Sequence, residues 1–155
     1  MNALCRLAGG VFVKGDTKMK LIFLSDKFYD RHKNCKEILQ KPERPYACLG
    51  VRIDRLLFAV PFRHHISHKY AFMIDGESGL DYTKAVMIRD QSDISDRQPW
   101  IDQKSFNAVK GKEANIQKGM ENYLKLYRKA RKYKDNPHYR FILQCSALSH
   151  FDSYI

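Results

Sequence analysis

No CxxC pair occurs among the four cysteines, Cys5, Cys35, Cys48 and Cys145. The zinc-ribbon and thioredoxin spacings are therefore missing. No apolar run approaches the ~20 residues that span a bilayer, so a membrane partner is not expected through insertion. The first apolar stretch is broken by Arg6, and no small-residue cleavage site follows it. A secretion signal is not expected, and the reading is a reduced, cytoplasmic chain with ordinary thiols. Internal repeats are absent as well. Acid is scarce: 17 Asp and Glu face 28 Lys and Arg, for a net charge of +11 and a pI near 9.6. Such an excess draws polyanions, nucleic acid first and anionic lipid surfaces second; it says nothing of fold.

What is present is a globular balance, 44% hydrophobic and 29% charged over 155 residues, the size of one domain. Residues 1–18 carry Gly9, Gly10 and Gly15 without periodicity, and Met19 opens MKLIFLSD like a natural start. Residues 1–18 are therefore expected to be an arm or an upstream extension, and residues 19–155 the single domain. Leu21 to Leu24 reads as a strand, with Ser25 as the cap of a short helix. Residues 41–45, KPERP, form a breaker-rich connection. Tyr46 to Ile53 and Leu56 to Phe62 read as a hairpin turned at Asp54-Arg55. Tyr70 to Ile74 and Thr83 to Ile88 are further strand candidates, with the turn signal Asp75-Gly76 between them. Asp90 to Gln98 is a polar loop. From Gln103 the pattern is helical, and Ile116, Met120, Tyr123, Tyr127 and Ala130 make one apolar face. Asn136-Pro137 reads as a cap and first helical residue, before a short helix carrying Ile142, Cys145 and Leu148. An α+β arrangement is expected, an antiparallel sheet followed by helices.

Two basic features stand out. The first is PFRHHISHKY, Pro61 to Tyr70, with three of the six histidines plus Arg63 and Lys69. A metal site would use His64, His65 and His68. However, adjacent strand residues face opposite ways, no carboxylate or cysteine lies in the segment, and two cations flank it; no metal is expected. Decoration of a strand end is a second reading. Phosphate chemistry is the third, and it uses every residue type. RNA carries its own nucleophile, the ribose 2′-hydroxyl. Histidine can move the proton, and Arg and Lys can hold the charge that grows on phosphorus. That chemistry calls for no cofactor.

The second feature lies between Lys118 and Lys134, where Lys118, Lys125, Arg128, Lys129, Arg131, Lys132 and Lys134 are opposed only by Glu121. A solvated helix face and a phosphate-facing surface are both open, with Lys118, Lys125, Arg128, Lys129 and Lys132 as the RNA-binding candidates. Tyr123 and Tyr127 fall on the apolar face and belong with the core.

The order LIFLSDKFY, RPYACLGVRI, LLFAVPFRHHISHKYAF, GLDYTKAV, followed by the helical KGKEANIQKGMENYLKLY, resembles the TenpN toxins of type III toxin–antitoxin systems, relatives of ToxN and AbiQ. The resemblance runs from about Met19 to the C-terminus. It implies a strongly bent antiparallel sheet or small barrel flanked by helices, like the MazF/Kid toxins. It implies a metal-independent, sequence-specific endoribonuclease that leaves a cyclic phosphate. It also implies inhibition by a repeated, pseudoknot-like RNA antitoxin that the toxin processes, within a protein–RNA hetero-oligomer. Pro61 and Phe62 match the family segment after the hairpin. Arg63 and His64 stand where ToxN-like members have a hydroxyl pair, and the lysine is delayed to Lys69. Arg44 and Tyr46 match the Arg-Pro-Tyr start of the preceding strand, and Ser25 and Tyr29 match the polar start of the first helix. The expected roles follow: Arg63 and Lys69 stabilise the phosphorane, His68 leads as acid or base with His64 second, and Arg44, Tyr46, Ser25 and Tyr29 position RNA. Helix capping for Ser25 and core packing for Tyr46 and Tyr29 are the competing roles. The rival from another class is a non-catalytic RNA-binding protein, for which charge and aromatics suffice.

Overall fold

The hairpin forms where the two runs of strand formers placed it. In the computed structural model, which describes residues 4–6, 11–13, 18–40 and 46–155, strands β4 (Cys48–Ile53) and β5 (Leu56–Arg63) pair antiparallel from Ile53↔Leu56 to Cys48↔Pro61. Asp54 turns the chain at φ 53°, in the left-handed region that a tight hairpin needs and that Asp tolerates. The expected breaker segment at residues 41–45 lies outside the described residues.

Around this hairpin the sheet grows on both sides. Strands β1 (Leu4–Arg6), β2 (Val11–Val13) and β3 (Lys18–Ile22) precede it, and β3 pairs with β4. Strands β6 (Ala71–Met73), β7 (Gly79–Asp81), β8 (Val86–Ile88) and β9 (Trp100–Asp102) follow. The seven-stranded sheet runs β2-β3-β4-β5-β7-β6, with β8 also on β5. Strand β5 is shared: Leu57 to Ala59 pair with β8, and Phe62 and Arg63 pair with β7. The end of β5 is thereby handed to a second hairpin, β6–β7, whose turn Asp75 closes by accepting from the backbone N–H groups of Glu77 and Ser78. Two ends remain in the strand order, so the described strands form an open sheet and not a closed barrel. Strands β1 and β9 make a separate pair.

The Thr83 to Ile88 strand is shorter than expected. Tyr82–Lys84 is a 3-10 turn because the Asp81 side chain caps it at the Thr83 N–H, and β8 starts only at Val86. Strands β7 and β9 were not expected. At three residues each they are too short to show alternation.

Four helices complete the fold. Helix α1 (Asp26–Arg31) starts at Ser25, whose hydroxyl accepts from the Phe28 N–H. Helix α2 (Gln103–Val109) is capped by Asp102, and α4 (Arg140–Cys145) follows the Asn136-Pro137 turn. Helix α3 (Glu113–Lys132) buries Ile116, Met120, Tyr123, Tyr127 and Ala130, the face read from the spacing, and Leu124 beside them. At 100° per residue these side chains lie opposite Lys118, Lys125, Arg128, Lys129 and Lys132, which share a stripe roughly 100° wide. The helix joins one core with Phe28, Leu49, Val51, Phe58 and Leu80. No helix among the described residues is long and apolar enough to cross a membrane.

Candidate active site

The end of β5 and the strand β7 beside it determine what meets what. Arg63 pairs with Gly79 in the ladder, so its side chain shares a face with Asp81, two residues along β7. Gly79 is required there: a Cβ at this position would stand 2.2 Å from the Phe72 carbonyl oxygen of β6. Asp81 is fully buried, and its carboxylate accepts three hydrogen bonds with His68 close beside it. Arg63 Nη1 donates to Oδ2 at 2.5 Å. The Thr83 hydroxyl and backbone N–H donate to Oδ1 at 2.6 and 2.9 Å. His68 Nε2 lies 3.2 Å from Oδ1. A buried carboxylate needs such company, since its desolvation is offset only by charge and hydrogen bonds.

Both ring nitrogens of His68 are committed within the protein. Nδ1 accepts from the Tyr70 N–H at 3.1 Å, which leaves the proton on Nε2, facing Asp81 and the Thr83 hydroxyl. His64 differs. Its Nδ1 is held by the Ser78 hydroxyl at 2.7 Å, the ring is exposed, and Nε2 has no hydrogen bond among the described residues. His65 supplies the bend that separates the neighbouring rings: its φ is 59°, and it stands 3.6 Å from Glu77. Lys69 is exposed, with its ammonium 5.6 Å from the Tyr70 ring centre and no ion pair among the described residues. Tyr70 in turn stacks on Phe141 of α4, with ring centres 6.0 Å apart.

Arg63 and His64 line a pocket of about 150 Å³, but His68 and Lys69 do not. Four features here escaped the sequence reading: Asp81, Thr83, Ser78 and the pocket wall formed by Trp100. Asp81 lay inside the GLDYTKAV segment without being singled out, because nothing local to it reveals a partner 18 residues upstream.

The other RNA-binding candidates divide. Ser25 is spent inside the fold, capping α1 and donating to the Ser92 carbonyl oxygen at 2.5 Å. Tyr29 is buried at 5% exposure, and burial pushes its hydroxyl well above the usual tyrosine range. The cap role describes the half-buried Ser25, and the core role describes Tyr29. Tyr46 is half-buried beside Tyr29 in a small cleft with Leu24 and Ile38 that Arg63 does not line. Arg44 lies outside the described residues. Lys118, Lys125, Arg128, Lys129 and Lys132 are all exposed on α3. Part of that run has a local cause, since Lys129, Arg131 and Lys132 fill the last helical turn, where the helix dipole favours cations. Arg131 leaves the stripe to donate to the carbonyl oxygens of Ile155 and Asp152. No hydrogen bond, ion pair or ring contact among the described residues ties the stripe to Arg63 or His64.

Among the described residues no three His, Cys, Asp or Glu side chains gather as metal ligands. Comparison with protein-family models, curated proteins and solved structures found no match to this chain.

Proposed function

We propose that the chain is a metal-independent endoribonuclease, acting as the toxin of a type III toxin–antitoxin system and restrained by a repeated, pseudoknot-like RNA. The toxin role, the RNA antitoxin and the kinship of fold with the MazF/Kid toxins rest on the TenpN resemblance. The chemical reading has its own support. One observation carries it: Arg63 and His64 line one pocket, and each is anchored by a side-chain hydrogen bond, Arg63 to Asp81 and His64 to Ser78.

The roles follow from those anchors. The buried Asp81 fixes one end of the Arg63 guanidinium and leaves further N–H groups for phosphate oxygens. Ser78 fixes the His64 ring and leaves Nε2 for proton transfer. In the reaction His64 Nε2 takes the proton of the ribose 2′-hydroxyl. The 2′-oxygen bonds to phosphorus, the bond from phosphorus to the 5′-oxygen breaks, and that oxygen takes a proton from water. Arg63 and Lys69 hold the charge of the phosphorane between these events. His68, expected to lead in acid–base work, becomes a positioning residue: with both nitrogens occupied it buttresses Asp81.

The non-catalytic RNA-binding reading draws on the exposed single-sign stripe of α3. Defined RNA incubated with His64→Ala and with the unaltered chain separates the two. Loss of cutting at unchanged affinity supports the nuclease. RNA that is shifted on a gel but left whole by both proteins supports the binder.

A further inference from the structure

The pocket beside Arg63 and His64 is walled by Phe23, Phe62 and Trp100, with Asp102 and Ser105 at the start of α2. Its volume is about 150 Å³. An enclosed apolar cavity of that size takes one benzene ring, and an open one takes one heterocycle with its polar edge outward. Drug-sized pockets are at least twice as large, so a longer ligand lying wholly inside is excluded. Trp100 is 48% exposed, an unusual position for the largest side chain and the only tryptophan of the chain. Its indole is amphipathic and stiff, which suits it to stacking. The cationic rim and the aromatic wall are contiguous, since Arg63 and His64 belong to both the pocket and the proposed reaction site. That combination, one ring-sized aromatic slot next to a phosphate-binding arginine, is what a nucleotide presents in reverse.

Resting on the nuclease reading, we infer that this pocket seats a single nucleobase flanking the scissile phosphate, stacked on Trp100. The Asp102 carboxylate caps α2 through the Ser105 N–H and hydroxyl, at 2.7 and 3.2 Å. A carboxylate has about four acceptor sites, so acceptor capacity remains on this wall for the N–H groups of a base. The slot gives the reaction a register: it fixes one base, and with it the phosphate that reaches Arg63 and His64.

Because Trp100 is the only tryptophan, its emission reports the pocket without any need for cutting. The probe is a short 2′-O-methyl RNA, which cannot cleave itself, compared with an abasic oligomer of equal charge. The base-bearing probe should change the Trp100 emission to saturation and bind tenfold or more tighter than the abasic one, as expected for one stacked base. Trp100→Ala should erase that difference, and Trp100→Phe should keep most of it. Equal binding of both oligomers, with unchanged emission, would overturn the inference. A protein that shows the emission change yet never cuts RNA loses the nuclease reading and keeps the base pocket. One that cuts equally well with Trp100→Ala, on an unaltered set of sites, keeps the nuclease reading and loses the pocket.

Discussion

Asp81 is the residue on which the site turns. Asp81→Asn removes the charge that holds Arg63 and leaves one buried oxygen and an amide where the carboxylate accepts three hydrogen bonds. The expected cost is about 2 kcal/mol in chemical denaturation, the range of hydrogen bonds to charged groups. Cutting should fall further than stability does, because Arg63 loses its aim. His64→Ala should lower the cleavage rate by about 10²- to 10⁴-fold, as removal of a general base does, with RNA affinity little changed. His68→Gln, which still offers a donor to Asp81, should lose less. A dead His68→Gln beside a fully active His64→Ala would reverse the two assignments. The histidine cluster was legible as a cluster because its residue types are rare together. Which ring is free was not legible, because Ser78 lies in a turn and Asp81 in a strand too short to announce itself.

At the scale of elements, β5 and β7 place the site, and α3 packs into the core. Gly79→Ala forces β6 away from β7 at the Phe72 carbonyl. It should therefore disturb Arg63 and lower activity as well as melting temperature. Helix α3 was legible at Ile116, Met120, Tyr123, Tyr127 and Ala130, since five buried positions at helical spacing are a strong periodic signal, while Leu124 was not singled out. Met120→Ala, at a fully buried position of that face, should cost about 2–5 kcal/mol. Its basic face was equally legible as sequence, but the spacing could not show that Arg131 turns aside to hold the C-terminal residues. Helix α1 ends at His32, whose ring lies 4.4 Å from that of Phe28. Burial, and then the charges of Arg31, His150 and Arg89, hold this histidine below its ordinary value of 6.5. The unfolded chain thus binds more protons at this position than the folded one as pH falls below that value. The contribution is fully present above it and is lost on acidification. His32→Gln should flatten that part of the decline in melting temperature between neutral and mildly acidic pH.

At the scale of the molecule, an open antiparallel sheet carries one large helix whose outer stripe is cationic, and a net charge of +11 governs the approach of any polyanion. The logarithm of RNA affinity should fall with the logarithm of salt, by about 0.7 per phosphate contacted on a single strand. Lys125→Ala with Lys129→Ala should make that slope shallower without moving the cut sites. The α+β class followed from the order of periodic segments. The sharing of β5 between two neighbours did not, because pairing between distant strands leaves no mark on either one alone. One gel tests the cleavage chemistry most directly. RNA of defined sequence is incubated with the purified chain in excess EDTA, beside the same RNA bearing a single 2′-deoxyribose 5′ to each mapped cut. The expected result is discrete cutting that survives the chelator, ends in a 2′,3′-cyclic phosphate and stops at each deoxy position. Cutting that continues at the deoxy positions, or RNA that stays whole throughout, would contradict it.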